Sequence, residues 1–206
     1  MARFGIPNGN AVGIPVGTLR NLGKTLGRNH GLALALWADG LYEARILACF
    51  VADPAQVTSA MMDAWCKDFD SWAICDTACF HLFDRVPHAW KKVKGWAKRK
   101  PEFEKRAAFA LLASLALHDK KATDEPFVDC LPLVETATDD GRNFVKKAVS
   151  WALRAIGGRS PILHSASLEL ATHLAASDDS TRRWIGKDVL RDLKRPLVAK
   201  RVAKKT

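Results

Sequence analysis

"KRAAFALLASL" (105–115), "KKAVSWALRAI" (146–156) and "GKDVLRDLKR" (186–195) each place a basic residue ahead of an amphipathic run. Arg106, Lys147 and Lys187 stand 41 and 40 residues apart, a period in the range of HEAT-type helical hairpins. Helix pairs stacked at such a period bury a shared core and curve into an arc with a concave face. The expected fold class is therefore all-α, a HEAT-like α-solenoid of stacked antiparallel helix pairs with a basic concave face.

The rest of the chain reads the same way. Strict apolar–polar alternation is absent and β-branched residues are sparse, whereas 3.6-residue periodicity recurs in units of a dozen residues or more. Helices are expected over 17–27, 30–37, 41–51, 55–69, 70–84, 87–98 and 101–118. Another begins between Pro126 and Pro132, and three more cover 141–156, 162–176 and 179–195, with Pro196 as the stop. Residues 1–196 read as a single repeat domain. Residues 197–206 read as a basic tail whose composition does not require order.

The chain of 206 residues is 48% hydrophobic and 26% charged, enough apolar material for a continuous core. Its net charge of +10 points to nucleic acid as the first partner class. Two segments concentrate that charge: 91–106 with eight Lys/Arg against two Glu, and 182–206 with ten against two Asp. No run is long enough to span a membrane, and MARFGIPNGNAVGIPVG lacks the shape of a secretory signal. A cytoplasmic, nucleoid-associated location is expected, with a monomer as the default. The five cysteines read as buried free thiols; a metal pair at Cys75 and Cys79 lacks a partner pair. With no phosphate loop, metal constellation or dinucleotide fingerprint, no cofactor is expected.

One carboxylate stands out. In "SWAICDTACF" (71–80) only Asp76 is charged, and a helical projection puts it on one broad face with Trp65, Phe69, Trp72, Cys79, Phe80 and Phe83. A carboxylate in such a stripe must be partnered, neutralised or lining a cavity. Trp72 lies one turn before it. Arg106 sits within a mostly apolar helix, and Lys147, Trp151 and Arg154 share one helical face. Indoles and cations together suit a phosphodiester carrying an aromatic base. The plainer readings stay open: Trp72 and Trp151 as core aromatics, Arg106 as the ion-pair partner of Asp76, Asp76 as a packing residue.

"LWADGLYEARILACF", "SWAICDTACF", "EKRAAFALLASLALHDKK" and "NFVKKAVSWALR" together resemble the DNA alkylation repair family of AlkD-type glycosylases, over about Gly5 to Arg191. The resemblance implies a HEAT-like solenoid that removes cationic N3- or N7-alkylated purines from duplex DNA without a cofactor and without a deep base pocket. It implies Asp76 as the catalytic carboxylate, Trp72 and Trp151 as lesion and sugar contacts, and Arg106 as the contact to the DNA backbone. Lys147 and Arg154 would be secondary phosphate contacts. Two features depart from the family pattern: a short lead before the first helix, and the apolar Ala-Ile-Cys between Trp72 and Asp76. The alternative is a non-enzymatic HEAT-repeat protein that binds bent, nicked or branched DNA.

Overall fold

A computed structural model describes residues 1–7 and 9–205, and all regular structure among them is helical. The α-helices are α1 (Val16–Leu26), α2 (His30–Asp39), α3 (Tyr42–Val51), α4 (Ser59–Lys67), α5 (Trp72–His81), α6 (Ala89–Trp96) and α7 (Glu102–His118). They continue with α8 (Glu125–Val128), α9 (Leu131–Ala137), α10 (Asn143–Gly157), α11 (Pro161–Ala175), α12 (Ser180–Leu193) and α13 (Pro196–Ala203). The chain divides into two compact units, Met1–Ala89 and Trp90–Thr206.

In the first unit α3 packs against α1, α2 and α5. Side chains supply the starts that propensity alone leaves weak. Asn29, Thr58 and Ser71 accept backbone N–H bonds at the N-termini of α2, α4 and α5. Trp37 and Trp65 stack with centroids 3.8 Å apart, and Trp37 Nε1 donates to Asp68 Oδ2 at 2.8 Å. Cys49, Cys66, Cys75 and Cys79 are fully buried. Glu43 is buried too, and its carboxylate receives the N–H groups of Val12 (3.1 Å), Gly13 (2.7 Å) and Ile14 (3.3 Å), strapping the N-terminal segment to α3.

The second unit is built on α10, which packs against α7, α11 and α12. Residues 107–113 of α7 are completely buried, so this helix forms a core rod. Where α11 meets α12, a Cβ at Gly186 would lie 2.3 Å from the Ala175 nitrogen, so only glycine permits that backbone approach.

Three sequence expectations change. The segment 55–69 is not one helix: the Asp53 side chain accepts the Ala55 N–H and fixes a 3-10 turn, Pro54–Gln56, and α4 begins only after the Thr58 cap. Pro126 and Pro132 each sit in the first turn of their own short helix, α8 and α9, where a missing N–H costs nothing. Pro196 does not end the helical structure: it opens α13, whose Val202 is buried, and Lys205 Nζ donates to the Gly158 carbonyl at 2.8 Å. The basic tail read from composition is a helix as far as Ala203, with Val202 buried and contacts to α11 and α12.

Candidate nucleic-acid interface

In the first unit α5 carries the candidate carboxylate. Ser71, itself buried, caps the helix by accepting the Ile74 N–H at 3.5 Å. Ala73, Ile74, Cys75, Ala78 and Cys79 turn into the core. Trp72, Asp76 and Phe80 are spaced four residues apart and are all half-buried, so they form one row along the edge of the core.

This corrects the helical projection. Trp65 belongs to α4 and Phe69 to the connection after it, so the single stripe was a projection across a break. Asp76 lies at the boundary of the apolar region rather than within it. A half-buried carboxylate keeps some contact with water, so it avoids most of the cost of full burial and can be reached by a ligand. The thiols behind it, Cys75 and Cys79, are fully buried. Burial pushes the Cys79 thiol well up, followed by smaller effects of Cys75, Asp76 and Cys66. Among the described residues no group of His, Cys, Asp and Glu is arranged to hold a metal ion.

In the second unit the row lies on α10. Lys147 is exposed, Trp151 and Arg154 are half-buried, and Ala148, Val149, Ser150, Ala152 and Leu153 fill the core beneath them. The start of α10 is fixed by α7: the Phe144 N–H donates to Glu102 at 3.2 Å and Arg106 Nη1 donates to the Phe144 carbonyl at 2.6 Å. Arg106 is therefore buried, with 6% of its surface exposed, and at least part of its guanidinium is committed to positioning α10. Arg154 lies 3.7 Å from Asp188 Oδ2, which also accepts the Ser150 hydroxyl at 2.6 Å. Of the three cations assigned to DNA from sequence, Lys147 is the one exposed to solvent.

The family model for DNA alkylation repair enzymes matches residues 1–193. The chain belongs to the DNA alkylation repair enzyme family. A solved structure described as "a new family of proteins related to the HEAT-like repeat DNA glycosylases with affinity for branched DNA structures" superposes with a TM-score of 0.75. It is 19% identical and the match covers 92% of this chain and 86% of that one. That likeness is one of fold, and it makes this member's helical array HEAT-like. A comparison with curated proteins finds no match.

The charge of this family member is distributed less simply than its sequence suggests. In the two richest segments many arginines are already paired: Arg99 with Glu104 (2.7 Å), Arg182 with Asp139 (2.6 Å), Arg191 with Asp188 and Arg195 with Asp192 (3.5 Å). Lys105 and Arg142 share Asp140 at 3.0 and 2.6 Å, and the Arg142 bonds above all hold that carboxyl far below its usual range. Two features escaped the sequence reading. Lys146 Nζ sits 5.1 Å above the ring of Trp184, an indole 38% exposed on α12. Arg20, Lys24 and Arg28 follow one another at four-residue spacing on and just after α1, a signal that was legible but lay outside the dense basic runs.

Proposed function

We propose that this protein is a monofunctional DNA glycosylase that hydrolyses the N-glycosidic bond of cationic N3- or N7-alkylated purines in duplex DNA. The observation that carries the reading is the row on α5: an indole and a carboxylate one turn apart, both half-exposed, in a member of a DNA alkylation repair enzyme family.

The chemistry asks little of the protein. An alkylated purine already bears a positive charge, so it departs as a neutral base when the glycosidic bond breaks and takes the bonding electron pair with it. No general acid is needed. Asp76, as a carboxylate, stabilises the positive charge that develops on the sugar and orients the water whose oxygen bonds to C1′. The water's surplus proton leaves through Asp76 or solvent. Trp72 and Trp151 contribute their ring faces to the sugar and the cationic base, about 0.5–2 kcal/mol each. Lys147 holds a phosphate with Arg154 beside it, and Arg106 fixes α10 so that this row keeps its place.

The test is release of 7-methylguanine and 3-methyladenine from methylated duplex DNA by the wild type and by Asp76→Asn. Release by the wild type and its loss in the variant, at unchanged DNA affinity, is the expected result. DNA binding without release by either protein would sink the reading for these bases. The alternative, recognition of branched DNA without base release, would then lead, because that affinity is what describes the structural neighbour.

A further inference from the structure

A second basic site lies in the first unit, and none of the residues assigned to base release belongs to it. A cavity of about 320 Å³ is lined by Arg20, Gly23, Lys24, Gly27, Arg28, Phe50, His81 and Arg85, from α1, the end of α3, the end of α5 and the 3-10 turn Phe83–Arg85. Among the described residues four permanent cations line it and no carboxylate does. Asp53 feels the Arg28 charge from outside but is not part of the wall.

Two of the cations have structural work. Arg28 Nη1 donates to the carbonyls of Phe50 (3.1 Å) and Ala52 (2.6 Å), and Arg85 Nη1 donates to the His81 carbonyl at 2.5 Å. Basic groups at helix C-termini are expected there, since they answer the orphan carbonyls. That accounts for Arg28 and Arg85. It does not account for Arg20 or Lys24. Among the described residues neither has an ion pair or hydrogen bond from its head group, and the Arg20 guanidinium lies over the Phe50 ring, 5.9 Å from its centroid. Like charges gathered without a counter-ion repel one another, and an anion relieves that repulsion.

The cavity also offers an aromatic surface. Phe50 and His81 are both half-buried and meet edge to face with centroids 5.0 Å apart. At Gly23 the α1 backbone comes so near that a Cβ would lie 2.7 Å from the Phe50 Cβ, so this glycine sets how closely the wall of cations approaches the ring. Cations flanking an aromatic face are the two elements of single-strand recognition: phosphate on the cations, base on the ring. A free phosphate ion would use the first and leave the second idle. A volume of about 320 Å³ exceeds one phosphoryl group and lies within the range of small-ligand sites.

We infer that this cavity binds an unpaired nucleotide of a DNA strand, with its phosphate against Arg20 and Lys24 and its base against Phe50 and His81. The inference rests on DNA as the partner, not on base release. The protein would thereby favour DNA carrying a single-stranded flap over a flush duplex.

The experiment measures equilibrium binding of the full chain to two fluorescent probes at fixed salt: a flush duplex, and the same duplex with a five-nucleotide single-stranded flap. Wild type is compared with Arg20→Ala/Lys24→Ala and with Phe50→Leu, which keeps the Cβ that faces Gly23. The expected result is a flap preference of about tenfold that the double variant abolishes and Phe50→Leu reduces, with flush binding changed less than about twofold. No flap preference in the wild type overturns the inference, as does equal weakening on both probes or no weakening in the double variant. Release of methylated purines from the flush duplex is followed in the same proteins. Since Asp76 and Trp72 are untouched, release persists if only the cavity assignment fails, and its absence in wild type would count against the glycosylase reading alone.

Discussion

α5 and α10 present rows of similar design and opposite sign. Each sets an indole one turn from a charged group at the edge of a core, but α5 offers a carboxylate and α10 offers cations. Their support differs as well. α5 has ten residues and a side-chain cap from Ser71, whereas α10 has fifteen and is tied at its start to Glu102 and Arg106 of α7. Under the proposed function, the difference matches two demands of glycosidic hydrolysis. Stabilising a transient positive charge on a sugar calls for one carboxylate that remains accessible. Holding a polyanion calls for cations on a rigid platform.

Removing the negative row should have the largest effect. Asp76→Asn keeps the shape of the side chain and removes its charge, and base release should fall by about 100-fold or more. DNA affinity should stay within about twofold, measured on the same duplex by anisotropy. A variant that lost affinity and release together would mean that Asp76 supports the fold of α5 and not the chemistry.

The contrast in support is tested next. Arg106→Met removes the side-chain donor to the part-buried Phe144 carbonyl and should cost about 1–3 kcal/mol in denaturant unfolding. Ser71→Ala removes one cap and should cost about 1 kcal/mol. If the platform reading holds, Arg106→Met also weakens DNA binding through α10, and Ser71→Ala lowers base release more than affinity. Reversed effects would assign the two rows the wrong way round.

A third prediction concerns α3, on which α5 packs. Burial alone would raise the Glu43 carboxyl, but the Val12, Gly13 and Ile14 N–H groups outweigh it and hold its pKa below the usual carboxylate value. A depressed folded pKa contributes stability that is fully present above the unfolded value, about 4.3, and is lost as pH falls through the folded value. Amide exchange at residues 12–14, taken relative to the intrinsic rate at each pH, should therefore accelerate below about pH 4 in wild type. In Glu43→Gln it should already be fast at neutral pH, with the strap weakened by about 1–2 kcal/mol. An exchange profile flat with pH would show that the strap does not depend on the charge of Glu43.

Much of this was legible in the chain and some was not, for identifiable reasons. The 40-residue period around Arg106, Lys147 and Lys187 predicts the helix pairs because each repeat must bury its apolar face on the next. Trp72 and Asp76 are visible because a lone carboxylate in an apolar window is costly enough to notice. Asp76 at the edge of the core was not visible: the break between α4 and α5 depends on turns and caps that a helical projection ignores. Nor could charge counts separate Lys147 from Arg154, because their difference lies in Asp188, which belongs to another helix. The cations around Phe50 were missed because Arg85 joins Arg20 only through the packing of α1, α3 and α5.

The smallest effect resolves the two cations of the α10 row. Lys147 is exposed and has no ion-pair partner among the described residues, while Arg154 shares Asp188 with Ser150 and Arg191. A phosphate reaching Arg154 must compete with that carboxylate; one reaching Lys147 displaces only water and counter-ions. Lys147→Ala should therefore weaken duplex binding several-fold and lower the slope of log affinity against log salt by about 1. Arg154→Ala should do less. Asp188→Asn releases Arg154 from its partner and should tighten binding by a few-fold, a gain that disappears when Arg154→Ala is added. If Arg154→Ala instead costs more than Lys147→Ala, the Asp188 pair is a support that aims the guanidinium at DNA, and the positive row begins at Arg154.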